Sequence, residues 1–260
     1  MSLTSLLNTS EVRERFRKAF EKPSMDGAPP IQVPVITERP SHVGTAFDYL
    51  LRFFVRRQNP SIVTEREWVA ETAAEHLSGS QYEKAQDTIC RAKAARDDYV
   101  ASGTLTQEVL EAVLHLARLD LVARTQRSGA VDITTVEAVK DSDVEDLRRL
   151  HETIPAGAFQ ADEHCLLNPT FGKASRLVGG ADADLFLDDT LIDIKTVKDA
   201  TFSRSMFNQL LGYYTLHVIS GIGELDPKPS IQRIGVYFSR HAHLHTVDVD
   251  AVIDRSTYPD

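Results

Sequence analysis

Apolar residues recur at helical spacing through the first half of the chain. In the segment that begins at Ser41, the apolar residues at positions 43, 47, 50, 51 and 54 share one face, which predicts a helix. Four further helices are predicted after it: one with Thr64 as N-cap and Glu67 completing a capping box, one with Ser80 as N-cap, one ending before Ser128, and one over residues 141–154. Residues 22–40 are rich in proline and lack this periodicity, so we expect an extended arm after a short N-terminal helix.

The pattern changes near residue 160, where strand-like segments appear. They read SRLVGGADADLFL, TLIDIKTV, IQRIGVYFS and HLHTVDVD, and one helix, SRSMFNQLLGYYTLHVIS, lies between the second and the third. Helices early and strands late predict an α/β fold in which a large helical N-terminal region packs beside a sheet. We therefore expect an N-terminal helix and arm over residues 1–40 and a single domain over 41–260, with a helical insertion at about 60–155.

Acidic residues cluster in the predicted hairpin GGADADLFLDDTLIDIK. The two aspartates at 188–189 are predicted to form a two-residue turn. Asp184 then faces Asp193 on the neighbouring strand, and in the same way Asp182 faces Lys195. These four side chains share one face of the hairpin. The other face carries only apolar residues: Ala183, Leu185, Leu187, Ile192 and Ile194.

Two carboxylates on opposite strand positions need a compensating charge. Their Cβ atoms would lie about 4.5–5.5 Å apart, where like charges destabilise a fold. A divalent cation supplies that charge, and hard oxygen ligands select Mg²⁺ or Mn²⁺ over zinc. Two alternatives stay open. In one, the hairpin faces solvent and Lys195 pairs with Asp182. In the other, a shifted register puts Asp182 in the place of Asp184.

Gln209 and Tyr213 lie four residues apart on the predicted helix that follows the hairpin, so they share a helix face. An amide and a phenol that project together can bind a phosphate group or the edge of a base. The alternative is a pair at the rim of the fold in which each side chain forms one ordinary hydrogen bond.

Together these residues resemble the PD-(D/E)XK nuclease superfamily, and specifically its RecB-like branch. The similarity consists of Asp184, the run Asp193-Ile194-Lys195, and Gln209-x-x-x-Tyr213, in the order found in that branch. Upstream, the segment GTAFD at 44–48 is similar to the branch's G-T-x-x-H-like motif, with Asp48 at the position of the usual histidine. The resemblance covers these signature positions, and residues 55–160 match no pattern of the branch.

The resemblance implies a restriction-endonuclease-like core, which is a mixed central sheet flanked by helices. It also implies metal-dependent hydrolysis of phosphodiester bonds, with DNA as the expected substrate. Lys195 would position the attacking water or stabilise charge that develops on phosphorus. The implied Mg²⁺ or Mn²⁺ ligands are Asp48, Asp184, Asp193 and the carbonyl of Ile194, and the implied catalytic residues are Asp184, Asp193, Lys195, Gln209 and Tyr213.

The net charge limits how the protein can contact nucleic acid. The net charge of −9 argues against a broadly basic surface, so contacts to nucleic acid require a local basic patch or a protein partner that supplies affinity for DNA. Arg176, Lys198 and Arg204 flank the acidic cluster and are the candidates for binding substrate phosphates, with solvated surface charge as the alternative for each.

The expected location is the cytoplasm. Cys90 and Cys165 lie far apart without ligand-like spacing, which favours plain thiols in a reducing compartment. No run of 18 uncharged apolar residues occurs, so no membrane partner is expected. His241, His243 and His245 alternate and are predicted to lie on an exposed edge strand. They do not suit zinc, because same-face neighbours on one strand are roughly 7 Å apart.

Two functions from different classes remain. The first is a metal-dependent DNA nuclease in genome maintenance or defence against foreign DNA, which the complete Asp/Asp/Lys set favours. The second is a non-catalytic nucleic-acid-binding or interaction module on the same fold that acts within a complex, which the acidic net charge favours.

Overall fold

The structure is a computed structural model and describes residues 2–25, 27–125 and 139–254. The helices are α1 (Leu3–Leu7), α2 (Ser10–Ala19), α3 (Pro40–Gln58), α4 (Gly79–Ser102), α5 (Gln107–Thr125), α6 (Asp141–Glu152), α7 (Gly172–Leu177) and α8 (Arg204–Ser220). The strands are β1 (Val63–Glu65), β2 (Cys165–Leu167), β3 (Leu185–Leu187), β4 (Thr190–Lys195), β5 (Arg233–Phe238) and β6 (His243–Asp248). Short 3₁₀ helices cover Val69–His76, Ser239–His241 and Val249–Ala251.

The six strands form one mixed sheet in the order β1-β2-β3-β4-β5-β6. The pairs β1–β2 and β4–β5 are parallel, and the other three pairs are antiparallel. The prediction of an α/β fold is therefore confirmed. Within the described residues, no helix is long and apolar enough to cross a membrane.

Helices cover both faces of the sheet. Because side chains alternate along a strand, β4 directs Ile192 and Ile194 to one face and Leu191 to the other. The first face packs against α3, α4, α5 and α6, and it also contains Leu185 and Leu187 of β3. The second face packs against α1, α7 and α8. This second face is the side of the sheet to which Asp193 and Lys195 belong.

Several predicted elements differ from the structure. Thr64 does not cap a helix, because it lies in β1, which pairs with β2. The segment after it forms a 3₁₀ helix from Val69. Ser80 lies inside α4, whose N-cap is Ser78. Residues 175–177, predicted to open a strand, belong to α7. The predicted helix end before residue 128 lies outside the described residues.

The proline-rich segment 27–39 packs against the body of the protein and is called the docked arm below. The backbone N–H groups of Gln32 and Val33 donate to the Arg240 carbonyl at 2.8 and 3.0 Å. The Arg240 guanidinium in turn donates to the Val33 carbonyl and forms a fully buried ion pair with Asp146 at 2.7 Å. The arm is thus attached to the strand end of β5 and to α6.

The predicted edge-strand position holds for two of the three histidines, but both are half-buried and not exposed. His243 and His245 lie on β6, which is the edge strand of the sheet. His241 is buried in the preceding 3₁₀ helix, where its ring nitrogens contact the carbonyls of Pro29 and Lys198 at 2.9 and 3.0 Å. The prediction that His241 lies on the edge strand is therefore wrong, and its side chain contacts the arm instead.

Candidate functional site

The hairpin between β3 and β4 has the predicted two-residue turn. Leu187 pairs with Thr190, which leaves residues 188 and 189 as the turn. Asp188 adopts a φ of 51°, in the left-handed region that aspartate tolerates better than most residues. Its carboxylate accepts hydrogen bonds from the backbone N–H groups of residues 162–164, which fix the turn against the preceding loop. The register of the acids follows from this turn.

Asp184 and Asp193 lie side by side at the end of the hairpin. The ladder reaches Leu185–Ile192, and beyond it Asp184 Oδ2 accepts a 2.6 Å hydrogen bond from the Ile194 N–H. Asp193 is only 2% exposed, and its Oδ2 lies 2.5 Å from Lys195 Nζ. The solvent-facing alternative, in which Lys195 pairs with Asp182, is therefore wrong.

Asp182 does not face Lys195 across the hairpin, because the chain leaves β4 before that point. Asp182 instead forms an isolated bridge with Thr170, and the Ala183 N–H donates to the Pro169 carbonyl at 3.0 Å. This change of partner turns Ala183 to the α8 side of the sheet, whereas it was predicted on the opposite face. The four other apolar residues of the predicted face lie where expected.

Asp48 reaches the same place from α3. Gly44, one helical turn earlier, brings α3 against the end of β4, since a Cβ built on it would lie 3.6 Å from Thr196 Cβ. Arg52, one turn later, is buried and donates to the Asp48 carbonyl at 3.1 Å. Its positive charge partly offsets the negative charge of Asp48 and Asp184.

One cavity of about 230 Å³, called the acidic cavity below, collects these side chains. Its lining comprises Ser2, Leu3, Thr4, Asp48, Arg124, Gly180, Ala181, Asp182, Asp184, Asp193, Ile194, Lys195, Gln209 and Tyr213. Every residue predicted as catalytic or as a metal ligand is in this set. The structure thus brings α3, β4 and α8 together at one site, although the motifs on them are far apart in sequence.

The acids of the cavity hold protons unusually tightly. Burial, and next the charge of Asp193, raise the pKa of Asp184 to about 7. Burial likewise raises the pKa of Asp193, and burial together with repulsion from Asp184 raises the pKa of Asp48 well above its usual value. Burial alone would lower the pKa of Lys195, but the charges of Asp193 and Asp184 outweigh it and raise that pKa. Burial is thus the main reason that the ionised carboxylates are disfavoured here, with charge repulsion second at Asp184 and Asp48.

The donor set suits a divalent cation. The lining contains four aspartates and two cations, Lys195 and Arg124, which leaves a formal charge of −2 when all are ionised. Carboxylate oxygens are the ligands that Mg²⁺ and Mn²⁺ prefer. Among the described residues, however, no three His, Cys, Asp or Glu side chains already converge as a ligand group. The fit consists of charge and oxygen chemistry and does not extend to a preformed cage.

Gln209 and Tyr213 form one hydrogen-bonded pair on the wall of the cavity. Gln209 Nε2 donates to Tyr213 Oη at 2.8 Å, and the Tyr213 ring stacks on Phe171 with centroids 5.5 Å apart. Burial and the neighbouring acids raise the pKa of Tyr213 well above its usual value, so the phenol stays neutral. Because Gln209 is the donor, the Tyr213 hydroxyl keeps its own proton for another acceptor.

The three predicted substrate-binding residues are not equivalent. Arg176 is exposed on α7, and Lys198 is exposed in the loop after β4, and neither lines the acidic cavity. Arg176 lies away from the cavity because its segment forms the helix α7 where a strand was predicted. Arg204 begins α8 and lines a neighbouring groove.

Arg124 and α1 are parts of the site that the sequence motifs did not reveal. Arg124 lines the cavity from the last turn of α5, where it pairs with Asp120. It lies in the region that matches no pattern, and only tertiary packing brings it to the site. The α1 helix adds Leu3, whose N–H donates to the Gly180 carbonyl at 3.2 Å. A Cβ on Gly212 of α8 would lie about 3.1–3.2 Å from α1 leucine side chains, so a glycine allows this approach.

We expect the change Asp184→Asn to stabilise the metal-free protein at about pH 8 but not at about pH 4. The pKa of Asp184 is raised from 3.8 to about 7, so the folded state binds this proton more tightly than the unfolded state. The stability that this group provides is complete below the unfolded pKa and is lost as the pH rises through the folded pKa. Asparagine has no proton to lose, and urea unfolding with a chelator present measures the difference.

Asp188→Asn is the control of opposite sign for this experiment. Burial would raise the pKa of Asp188, but its three backbone N–H partners outweigh burial and lower it. Its stabilisation is present above the unfolded pKa and is lost as the pH falls, so Asp188→Asn should destabilise the protein at high pH. A pH-independent difference for Asp184→Asn would contradict the raised pKa of Asp184 and its assignment to burial and the charge of Asp193.

The site therefore consists of a buried aspartate, Asp193, a half-buried aspartate, Asp184, and one lysine at the end of a hairpin, together with Asp48 from α3 and an amide–phenol pair on α8. These groups are close enough to interact electrostatically, and Lys195 is half-buried. No family model matches the sequence, no curated protein matches it, and no solved structure matches the fold.

Proposed function

We propose that the protein is a metal-dependent nuclease that hydrolyses phosphodiester bonds, with DNA as the substrate. The observation that carries this proposal is the convergence of Asp48, Asp184, Asp193 and Lys195 on one cavity, with Gln209 and Tyr213 on its wall. In this proposal the sheet and its helices correspond to a restriction-endonuclease-like core, and the PD-(D/E)XK resemblance describes a real relationship.

The proposed cation ligands are the carboxylates of Asp48, Asp184 and Asp193 and the carbonyl of Ile194. The −2 formal charge of the lining and the raised pKa values of these acids support this choice, because burial, and for Asp184 also the charge of Asp193, disfavours the ionised carboxylates, and a bound divalent cation would offset that cost. A bound Mg²⁺ or Mn²⁺ would polarise the scissile phosphate and lower the pKa of a bound water.

The protein's own residues have distinct tasks in the proposed reaction. Hydrolysis forms a bond between water oxygen and phosphorus, breaks the bond from phosphorus to one sugar oxygen, and moves a water proton to that leaving oxygen. Lys195 places an ammonium group where negative charge develops on the phosphate oxygens. Tyr213 offers a neutral hydroxyl donor, and Arg124 offers a guanidinium in the cavity lining.

The metal part of the proposal has a test that does not require activity. Mg²⁺ or Mn²⁺ should raise the thermal unfolding midpoint of the wild-type protein, since binding to the folded state alone stabilises by about 2.7 kcal/mol at 100 times the dissociation constant. Asp193→Asn should abolish this shift. Asp199→Asn, which removes an exposed carboxylate outside the cavity, should leave it unchanged. Equal shifts in all three proteins would place the cation elsewhere.

A non-catalytic nucleic-acid-binding module is the second candidate. The Lys195–Asp193 ion pair favours it, because the ammonium occupies a carboxylate that a cation would need. This candidate predicts binding of DNA without turnover and no metal-dependent shift in the unfolding midpoint. Incubation of DNA with purified protein and Mg²⁺ or Mn²⁺, alongside that unfolding measurement, separates the two functions.

A further inference from the structure

A second cavity of about 510 Å³ adjoins the acidic cavity and is called the α2–α8 groove below. It is lined by Thr4, Leu7, Asn8, Ser10, Arg13, Glu14, Arg17, Arg204, Ser205, Asn208 and Gln209. Thr4 and Gln209 also line the acidic cavity, so the two spaces share a boundary. A chain molecule that occupies one of them can continue into the other past these two residues.

The groove is basic although the protein as a whole is acidic. Arg13 and Arg17 are four residues apart on α2 and both line it. Within the described residues, neither side chain has an ion-pair partner. The remaining cations of α2 differ, because Arg15 pairs with Glu11 at 2.9 Å and Lys18 pairs with Glu14 at 2.8 Å. Two guanidinium groups on one face of the helix are thus available to an anion.

The opposite wall of the groove is the first turn of α8. Arg204 is held there by a 2.8 Å hydrogen bond to the Phe20 carbonyl and by its position 5.5 Å from the Phe207 ring centroid. The N-terminus of this long helix also carries partial positive charge, which favours phosphate groups.

We propose that the α2–α8 groove binds the backbone phosphates next to the scissile phosphate, so that the substrate strand leaves the acidic cavity between α2 and α8. This inference rests on the proposed nuclease function. Phosphate contacts by arginine supply most of the affinity for nucleic acid and fix its register without reading its sequence. The groove gives an acidic protein a basic track where the substrate has to continue.

The test compares two double variants of the full chain that remove equal charge from the same helix. Arg13→Ala with Arg17→Ala removes the groove cations, and Arg15→Ala with Lys18→Ala removes the paired cations outside it. Binding of a fluorescent single-stranded oligonucleotide is measured against salt concentration, and cleavage is measured with Mg²⁺. Thermal unfolding verifies that both variants fold.

The groove variant should bind about tenfold or more weakly, and the slope of log affinity against log salt should shrink by about 1.4, which corresponds to two lost single-strand phosphate contacts. Its KM should rise while kcat stays near the wild-type value. The control variant should change neither slope nor KM.

Equal weakening of both variants, or wild-type binding by the groove variant, overturns the inference. If the wild-type protein cleaves DNA in either of these cases, the nuclease proposal survives without the groove. If the wild-type protein binds but never cleaves, and binding still depends on Arg13 and Arg17, the groove stands and the nuclease proposal fails.

Discussion

Replacing Lys195 with alanine is expected to slow phosphodiester cleavage by about 10²- to 10³-fold, the loss seen when a single group that stabilises transition-state charge is removed. Lys195 is the one lysine among the described residues that line the acidic cavity. Its Nζ lies 2.5 Å from Asp193 Oδ2, which holds it at the end of β4. Steady-state kinetics with saturating DNA and Mg²⁺ should show the loss mainly in kcat.

Lys198→Ala is the matched control, because this lysine lies three residues away and is exposed outside the cavity. It should cleave at the wild-type rate. Lys195→Ala also leaves Asp193 buried without its partner, so thermal unfolding must accompany the kinetics. Asp193→Asn provides a second inactive variant that keeps the size of the side chain. Wild-type cleavage by a folded Lys195→Ala protein would refute the assigned role.

Asp146→Asn is expected to lower the free energy of unfolding by about 3–5 kcal/mol, because it breaks a buried ion pair and leaves one charge uncompensated. Both side chains of the Arg240–Asp146 pair are fully buried, and two hydrogen bonds of 2.7 and 3.0 Å join them. Arg240 also binds the docked arm through Val33. The loss should therefore include detachment of the arm, measurable by urea unfolding and by proteolysis within residues 27–39.

Glu145→Gln tests the same helix at the neighbouring position. Glu145 pairs with Arg149 at 2.8 Å, but both side chains are about half exposed, so the change should cost no more than about 1 kcal/mol. The double change Arg240→Met with Asp146→Leu should recover much of the stability lost in Asp146→Asn, since it removes both buried charges. If Asp146→Asn costs no more than Glu145→Gln, the buried pair does not hold the arm.

The hairpin and its acids could be predicted from sequence because their determinants are local. Two adjacent aspartates form the turn, and alternation then fixes which side chains share a face from Asp184 onward, whereas Ala183 and Asp182 follow a different partner segment. The Gln209–Tyr213 pair follows from helical spacing in the same way. Asp48 required the family resemblance, since nothing in its own segment indicates that α3 packs beside the end of β4.

The remaining differences have non-local or unrecognised causes. β1 has only three residues, and its partner β2 lies about a hundred residues later, so neither carries a pattern of its own. At α7 the predicted strand fails because Ser175 Oγ bonds the Phe171 N–H and the Ala181 carbonyl, which closes a short helical turn. Arg124 and α1 reach the cavity only through tertiary packing, for which the sequence offers no periodic signal.

Because α1 forms part of the cavity lining, formation of the cavity depends on how the chain folds. The lining extends from residue 2 to residue 213. It is therefore complete only when α1 has packed against α8. Contacts between distant parts of a sequence form slowly, because the entropy cost of closing a long loop comes before the contacts contribute any stabilising energy. An incompletely folded molecule would therefore have its aspartates and lysine without the enclosure around them, and the proposed nuclease activity would require completed folding.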